Sequence, residues 1–538
     1  MPAIESTLQP SSQAFHNNRE TMETHVNAFR ALEALPNQKA LKKKEKYEQR
    51  GQLLPRERLN LLLDPESPFL ELSTLAGYKM YGDRDGSSAG GGCIAGIGYV
   101  SGVRCMVVVD NFAVKGGTIT PIGLEKRLRL QQIALQQKLP TVTLAQSGGA
   151  DLNHATETFA PGGRGFYNQA QMSAAGIPQV TVVHGSATAG GAYQPALSDY
   201  VVMVRKQATM YLAGPPLLKA ATGEVATDEE LGGAEMHTQS AGTGEYLAEN
   251  DQDAIRIARE IMTLLPWNAP AQSETGRSVK PPRYPVEELM GIIPADPKTP
   301  YDVAEVIARL GDSSEFLAFK HEYDQQTVCG HLTIEGHTCG LIGNNGPITP
   351  AGATKAAQFI QLCDQAGIPI LFLHNTTGFM VGTEVEHNGI IKHGAKMIQA
   401  VANARVPKIS LVIGGSYGAG NYAMCGRGFE PDFIFAWPNS ATAVMGAQQA
   451  GKVLRIIMEA KMARSGHPTD PAMLDMMENK TAEQLAQGST ALACTARLWD
   501  DGLIDPRDTR KVLAYVLDIC RESRQRALNS NSFGISRF

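Results

Sequence analysis

Three glycine-rich turns occur twice in this chain, each placed where backbone amides rather than side chains would carry the chemistry. The first pair is Gly185-Ser186-Ala187-Thr188-Ala189-Gly190-Gly191-Ala192-Tyr193 and Gly414-Gly415-Ser416-Tyr417-Gly418-Ala419-Gly420-Asn421-Tyr422, each after an apolar run and opening a helix. Glycine lets the backbone pass close to a ligand, and a helix start offers unpaired N–H groups at the positive dipole end. Amides so placed stabilise a developing oxyanion, one donor being worth about 10²–10³ in rate. The candidate catalytic groups are therefore Gly190 and Gly191 in the first turn and Gly418, Ala419 and Gly420 in the second. The second pair is Ser147-Gly148-Gly149-Ala150 with Thr376-Thr377-Gly378-Phe379, and the third is Lys115-Gly116-Gly117-Thr118 with Asn344-Asn345-Gly346-Pro347. A lone turn of this kind also serves close helix–strand packing. Matched turns in two places point instead to a ligand lying along one edge of each domain.

Other motifs carry less. Gly414 to Gly418 fits the G-x-S-x-G nucleophile elbow, but its counterpart has Ala187 where Ser416 stands, so the shared function does not need the hydroxyl. Gly446 to Lys452 fits G-x-x-x-x-G-K, with Val453 replacing the Ser/Thr that would hold magnesium. Cys329, His331, His337 and Cys339 have zinc-like chemistry, yet they lie in a β-run whose counterpart shares only the last of them, and no metal is expected.

The elements that position the turns repeat with them. Thr120-Pro121, Pro140, Pro178, Gly185 and Tyr193 recur as Thr349-Pro350, Pro369, Pro407, Gly414 and Tyr422, shifted by 229 positions. Upstream, Gly96, Gly102 and Cys105 recur as Gly330, Gly336 and Cys339 at a shift of 234, so the chain is a duplicated domain rather than a solenoid. Each repeat predicts short β-runs (Met106 to Val109; Gly340 to Gly343) and then a helix (Pro121 to Gln137; Pro350 to Ala366). Buried strands follow at Thr141 to Leu144 and Val180 to Val183, and at Ile370 to Leu373 and Ile409 to Ile413, giving stacked ββα units of an α/β fold. Residues from about 15 to 63 are expected to be helical, with Lys42-Lys43-Lys44-Glu45-Lys46 a solvated face. Eight prolines between 266 and 300 mark a linker. The expected division is 1–70, an N-terminal helical segment; 71–285, the first domain; and 286–538, the second. Beyond Leu454 the chain is expected to be largely helical, its methionines serving core or subunit packing.

Composition narrows the classes. Net charge of -5, pI near 6.2 and no basic stripe exclude a nucleic-acid binder. No apolar run reaches the length of a membrane span, and no signal or transit peptide is evident. Eight scattered cysteines without a Cys-x-x-Cys pair suit a reducing, cytoplasmic location.

The chain resembles, over nearly its whole length, the carboxyltransferase (β) subunits of biotin-dependent acyl-CoA carboxylases. The resemblance rests on Leu53-Leu54-Pro55-Arg56-Glu57-Arg58, Val114 to Thr118, Ser147 to Ala150, Phe166-Tyr167-Asn168-Gln169, Thr188 to Tyr193, Leu212 to Pro216, Ala220 to Glu224 and Leu231 to Ala234 in the first repeat. In the second it rests on Ala351 to Ala357, Thr376 to Gly382 and Gly418 to Met424. Phe69-Leu70-Glu71-Leu72 and Ala76-Gly77-Tyr78 are similar to the methylcrotonyl-CoA and geranyl-CoA branch.

The resemblance implies two crotonase-like β-β-α superhelix domains. The first holds an acyl-CoA and the second holds carboxybiotin, carried by a biotin carboxylase/biotin carrier α subunit. The site forms between the first domain of one subunit and the second of another, in a homo-oligomer of six β subunits within an α6β6 holoenzyme. On this reading Gly190 and Gly191 serve the thioester enolate, Gly418, Ala419 and Gly420 serve the biotin urea oxygen, and the ureido nitrogen is the base. Substrate contacts fall to Lys115, Gly116, Gly117, Ser147, Gly148, Gly149, Ala150, Gly162, Gly163, Gly165, Phe166 and Tyr193, and biotin contacts to Thr377, Gly378, Phe379, Tyr417 and Tyr422. Arg56, Arg58 and Lys115 are candidates for the CoA phosphates.

One departure bears on the acyl group. Where the methylcrotonyl branch carries an aromatic and a branched aliphatic, this chain has Ala160-Pro161-Gly162-Gly163-Arg164-Gly165. A loop of that composition over the pocket would admit several more carbons, so geranyl-CoA is expected, with methylcrotonyl-CoA as the alternative. In both, conjugation directs carboxylation to the γ-carbon. A crotonase-type hydratase would need paired carboxylates near the thioester hole, yet the first acid after Gly191 is Asp199. A decarboxylating relative, or a non-catalytic scaffold for the biotin subunit, would share the same motifs.

Overall fold

The computed structural model describes residues 1–265, 267, 278–296, 299–465, 470–530 and 533–536. Pro266, Pro270 and Pro297 of the expected linker lie outside the described residues. Two units form: Arg30–Glu274 with Ala496–Leu498 and Ile519–Phe538, and Met1–Phe29 with Thr275–Thr495 and Trp499–Asp518. The expected helix over 15–63 is three helices, Gln13–Leu41, Lys44–Glu48 and Pro55–Leu62.

The first repeat carries strands β1 (Leu70–Glu71), β2 (Cys93–Val100), β3 (Val103–Asp110), β4 (Thr141–Ser147), β5 (Gln179–Thr188), β6 (Tyr200–Val204), β7 (Thr209–Tyr211) and β8 (Tyr246–Ala248). Their order in the sheet is β1-β2-β3-β4-β5-β6-β8, with β7 beside the end of β5. A tight antiparallel hairpin joins β2 and β3, after which β3, β4, β5 and β6 run parallel. The second repeat gives β9 (Leu317–Ala318), β10 (Thr327–Ile334), β11 (His337–Asn344), β12 (Ile370–Thr376), β13 (Lys408–Tyr417), β14 (Phe433–Ala436) and β15 (Ala441–Ala443). The plan recurs: β10 and β11 form the hairpin, β11 to β14 run parallel, and β15 lies beside the end of β13. The crossovers that parallel strands require are the helices between them.

Alternation along the strands builds the core. Val107, Val109, Val142, Leu144, Val180, Val182 and Val202 share one face of the first sheet and pack with Leu59, Leu62, Ala254, Ile255 and Met262. In the second repeat Ile342, Ile370 and Phe372 pack with Phe359, Ile360, Met397 and Val401.

The duplication extends to the caps. Thr120 Oγ1 accepts the Gly123 amide at 3.2 Å and Thr349 Oγ1 accepts the Gly352 amide at 2.9 Å, each with proline at the next position. One turn further, Lys126 and Lys355 are both buried. Lys126 Nζ donates to the carbonyls of Ser73, Gly90 and Cys93, and Lys355 Nζ donates to those of Tyr323 and Asp324. Burial lowers the pKa of each ammonium group.

Candidate functional site

Each parallel sheet ends in the glycine turns, at the carboxyl edge where α/β sheets present ligand-binding groups. In the first repeat the three turns abut. A Cβ on Gly117 would stand 2.5 Å from the Gln146 carbonyl oxygen, one on Gly148 would be 2.7 Å from that of Gly116, and one on Gly191 would lie 3.3 Å from Ser147 Oγ. A register shift in β4 between Ala145 and Ser147 lets the edge bend, and Ser147 Oγ accepts the Gly149 amide at 3.1 Å. The second repeat repeats the device. β12 shifts between His374 and Thr376, Thr376 Oγ1 accepts the Gly378 amide at 3.2 Å, and a Cβ on Gly420 would stand 2.8 Å from Gly378 Cα.

The oxyanion candidates occupy equivalent positions. Gly190–Ala196 and Gly418–Ala423 are short helices entered directly from β5 and β13. Gly190 and Gly191 correspond to Ala419 and Gly420, and first-turn amides have no acceptor inside the helix. The residue before each pair, Ala189 in one repeat and Gly418 in the other, has φ near +55° (53° and 55°). Gly418 thus occupies the left-handed turn position that precedes Ala419 and Gly420.

Around the first turn, Phe166 and Tyr193 pack with ring centroids 5.6 Å apart, and Phe166 Cζ lies 3.9 Å from where a Gly190 Cβ would be. The expected loop over Gly162, Gly163 and Gly165 is instead part of a continuous helix, Ala155–Ala174, which runs through Pro161. Helical spacing puts Gly162 and Gly163 one turn before Phe166, and a Cβ on either meets nothing within 4 Å. Gly165 faces the helix Pro121–Gln136 instead, with Gln131 Nε2 donating to its carbonyl at 3.1 Å.

The residues expected around biotin separate. Thr377 and Tyr417 line a cavity of about 400 Å³. Gly378 backs Gly420, Phe379 packs its ring on Gly394, and the half-exposed Tyr422 stacks on Phe429.

The phosphate candidates all have protein partners; Arg58 is held in the interior, while Arg56 and Lys115 stay partly exposed. Arg58 is fully buried and donates to Asp251 at 2.8 Å and to Gln146 at 2.7 Å. Arg56 makes a bidentate pair with Glu71, and Lys115 Nζ donates to the Tyr81 carbonyl. The partners of Arg58 form a buried network that sequence reasoning missed. His184 Nδ1 lies 2.7 Å from Asp251 Oδ1, and the Leu53 amide donates to Asp251 Oδ2 at 2.8 Å. Burial and the Arg58 charge push the His184 pKa down to about 4, so its Nδ1–H donates as a neutral ring. Burial alone would raise Asp251, but His184, Arg58 and the Leu53 amide hold it down to about 2.

The other motifs find structural places. Ser416 Oγ lies 2.9 Å from His374 Nδ1 and accepts from Asn421 Nδ2 at 2.8 Å, but Ser416 and His374 are both fully buried. Burial holds the His374 pKa down to about 3, so this pair orients the turn and presents no nucleophile. The segment after Gly446 is the start of the helix Ala447–Ser465. His331 packs against the Phe359 ring, and Cys329 and Cys339 are buried in the β10–β11 hairpin. Among the described residues, no group of three or more His, Cys, Asp or Glu could hold a metal ion, and no helix is long and apolar enough to cross a membrane.

Comparison with known proteins places these turns in context. The carboxyl transferase domain model matches residues 46–532. The chain is 47% identical over 527 residues to the biotin-dependent 3-methylcrotonyl-coenzyme A carboxylase beta1 subunit of Mycobacterium tuberculosis, covering 97% of this chain and 98% of that protein. It is 44% identical to the probable mitochondrial methylcrotonoyl-CoA carboxylase beta chain of Drosophila melanogaster, covering 99% of this chain and 95% of that one. The crystal structure of the P. aeruginosa geranyl-CoA carboxylase beta subunit matches at 66% identity over 100% of both chains, with a TM-score of 0.94.

Proposed function

The chain belongs to the carboxyl transferase family, and from that premise we propose that it is the carboxyltransferase subunit of a biotin-dependent geranyl-CoA carboxylase. The observation that carries this reading is the full-length likeness, at 66% identity, to the geranyl-CoA carboxylase beta subunit, against 47% to the methylcrotonyl relative. The bare face at Gly162 and Gly163 gives it a physical reason. A Cβ on Gly162 or Gly163 would meet nothing within 4 Å, which leaves room beside Phe166 for a longer acyl chain, and Phe166 and Tyr193 offer apolar contact.

The chain's own groups account for the chemistry by charge stabilisation. Removing a γ-proton from a β-methyl, α,β-unsaturated thioester puts negative charge on the thioester oxygen. The amides of Gly190 and Gly191 are placed to receive it. Ala419 and Gly420 form the matching cradle for a urea oxygen, kept bare because a Cβ on Gly420 would strike Gly378. Biotin bound to a partner chain would supply the carboxyl group as CO2 and, once the N–carboxyl bond has broken, a ureido nitrogen basic enough to take the carbon-bound proton. No protein carboxylate or histidine is required as base, and the histidine nearest the second turn, His374, is buried and neutral.

The relatives are named as β subunits, which supports a biotin-carrying α partner. The resemblance further suggests six copies of this chain with six partners, each site shared between two copies. The scattered cysteines suit the reducing cytoplasm. Division into an acyl-CoA domain over 71–285 and a carboxybiotin domain over 286–538, after a helical segment over 1–70, remains part of the proposal.

The test is carboxylation with the cognate biotin subunit, ATP and labelled bicarbonate, comparing geranyl-CoA with methylcrotonyl-CoA. Selective turnover of geranyl-CoA, lost in Gly162→Phe while methylcrotonyl-CoA is still used, supports the reading. Preference for methylcrotonyl-CoA in the unaltered protein overturns the acyl assignment.

A further inference from the structure

The two repeats share a bulge and differ in what holds it. In the first, Gln146 alone faces His184, Gly185 and Ser186 of β5, because Ala145 pairs with Val183 and Ser147 with Ala187. In the second, Asn375 alone faces Ile413, Gly414 and Gly415, between the pairs His374–Val412 and Thr376–Ser416. Each bulge lies at the base of the glycine turns. Gln146 immediately precedes the Ser147 turn, and β5 runs on from its bulge into Ala189, Gly190 and Gly191.

A closed ring of hydrogen bonds ties the first bulge together. His184 Nδ1 meets Asp251 Oδ1 at 2.7 Å, and Asp251 Oδ2 accepts from Arg58 Nε at 2.8 Å. Arg58 donates in turn to Gln146 Oε1 at 2.7 Å. Gln146 Nε2 donates to Gln52 Oε1 at 3.3 Å, and Gln52 Nε2 closes the ring on the His184 carbonyl at 2.9 Å. All five residues are buried. The ring joins the two sides of the bulge, Gln146 on β4 and His184 on β5. It also seats the Gln146 side chain on Gly185, where a Cβ would stand 2.8 Å from Gln146 Nε2. The Gln146 amide is held as well, donating to Asp110 Oδ2 at 3.0 Å while Arg127 donates to Asp110 Oδ1 at 2.7 Å.

The fold does not need this ring. The second repeat builds the same bulge with Ile413 and Asn375 in place of His184 and Gln146. There the Asn375 amide reaches Asn344 Oδ1 at 3.5 Å, and Asn375 and Gly414 line the cavity of about 400 Å³. Buried charges also return little net stability, because their desolvation offsets their attraction. What the ring fixes is geometry. Gln146 points into it, whereas the next residue, Ser147, accepts the Gly149 amide and lies 3.3 Å from where a Gly191 Cβ would be. We propose that Arg58, Gln146, His184 and Asp251 are positioning residues for carboxyl transfer. Through the bulge they hold the Gly190 and Gly191 amides in place beside the Ser147 turn, where the thioester oxygen gathers charge. Donors fixed in advance stabilise that charge without having to move as it forms. This rests on the carboxyl-transfer reading above and adds to it the groups that set the first turn.

The test is transfer by the assembled protein with its biotin-carrying partner, ATP and bicarbonate, over a range of geranyl-CoA concentrations. Gln146→Met keeps an unbranched side chain of similar length but opens the ring on both sides of position 146. Its kcat, referred to folded protein, is expected to fall about tenfold to a hundredfold, as for donors displaced by up to about 1 Å. KM for geranyl-CoA should stay within about twofold, because the ring is buried behind the turns and its effect is felt only in the transition state. A merely structural role would reduce the yield of folded protein and leave its kcat alone. An unchanged kcat, or a rise in KM that accounts for the whole loss, overturns the proposal. Where Gln146→Met does not fold, Gln52→Met opens the ring while leaving Arg58 on both Asp251 and Gln146. A fall in kcat of about threefold to tenfold at constant KM then supports the role, and an unchanged kcat overturns it. Transfer by the unaltered protein is measured in parallel. Its absence defeats the transfer reading, whereas equal kcat in parent and variant defeats only the role of the ring.

Discussion

Ala189 and Gly418 hold equivalent places in the two repeats, with φ of +53° and +55°, each immediately before the two amides proposed to hold an oxyanion. A glycine adopts this conformation freely, whereas an alanine there carries strain of about 1–3 kcal/mol. Ala189→Gly should therefore stabilise the first repeat by about 1 kcal/mol, after allowing for the greater entropy of a glycine in the unfolded chain. Gly418→Ala should destabilise the second, its Cβ also falling 3.0 Å from the Val444 carbonyl oxygen. Urea midpoints of the two variants against the parent check both signs.

The amides themselves are unequally tolerant. A methyl group on Gly190 enters open space, its nearest neighbour Phe166 Cζ at 3.9 Å, while one on Gly420 meets Gly378 Cα at 2.8 Å. Gly190→Ala is expected to lower kcat/KM by less than about tenfold. Gly420→Ala should cost about 10²–10³, the loss of one well-placed donor. Steady-state transfer assays with geranyl-CoA decide between this order and the reverse.

Lys126 and Lys355 are a duplicated device for holding carbonyls, the first serving three and the second two. Replacing either with methionine keeps the volume but leaves buried carbonyls unmatched, at about 1–3 kcal/mol for each group. Lys126→Met should be the more destabilising variant. Thermal unfolding of each, compared with Lys126→Arg and Lys355→Arg, provides the measurement.

Asp500 gives a pH signature of unusual sign. It is fully buried, and burial, with the adjacent Asp501 charge, pushes its carboxyl up to about 7 despite the hydrogen bond it accepts from the Gly502 amide. The unfolded chain has lost this proton above about 4 while the folded chain keeps it to about 7. This group's contribution to stability therefore declines as pH rises from about 4 to 7. The buried neutral His184 and His374 act in the opposite sense, since their pKa values of about 4 and 3 make the fold lose stability as pH falls below about 6.5. The difference in urea midpoint between Asp500→Asn and the parent isolates Asp500. It should favour the variant increasingly between pH 5 and 8, and a flat difference would show that Asp500 is ionised throughout.

Much of this protein can be read without coordinates, because its signals are local and occur twice. The matched turns at Ser147 and Thr376, the capping threonines Thr120 and Thr349, and the apolar runs of β4, β5, β12 and β13 each depend on a few neighbouring residues. A single spacing of 229 aligns them. Two glycines in sequence also mark where a backbone must stay bare, as Gly191 and Gly420 do.

What the chain order could not supply is which side chains meet across long separations. Arg58 has the composition of a phosphate ligand, and only its burial against Asp251, 193 residues away, removes it from solvent. Gly162 and Gly163 suggest a loop because glycine and proline weaken a helix, yet Ala155–Ala174 runs through them as one helix. The sequence alone determined two copies of one fold and the paired glycine turns proposed to carry the chemistry. Tertiary structure alone decided that the space beside Gln146 is filled and the one beside Asn375 open, because cavities are set by the packing of residues that are never neighbours in the chain.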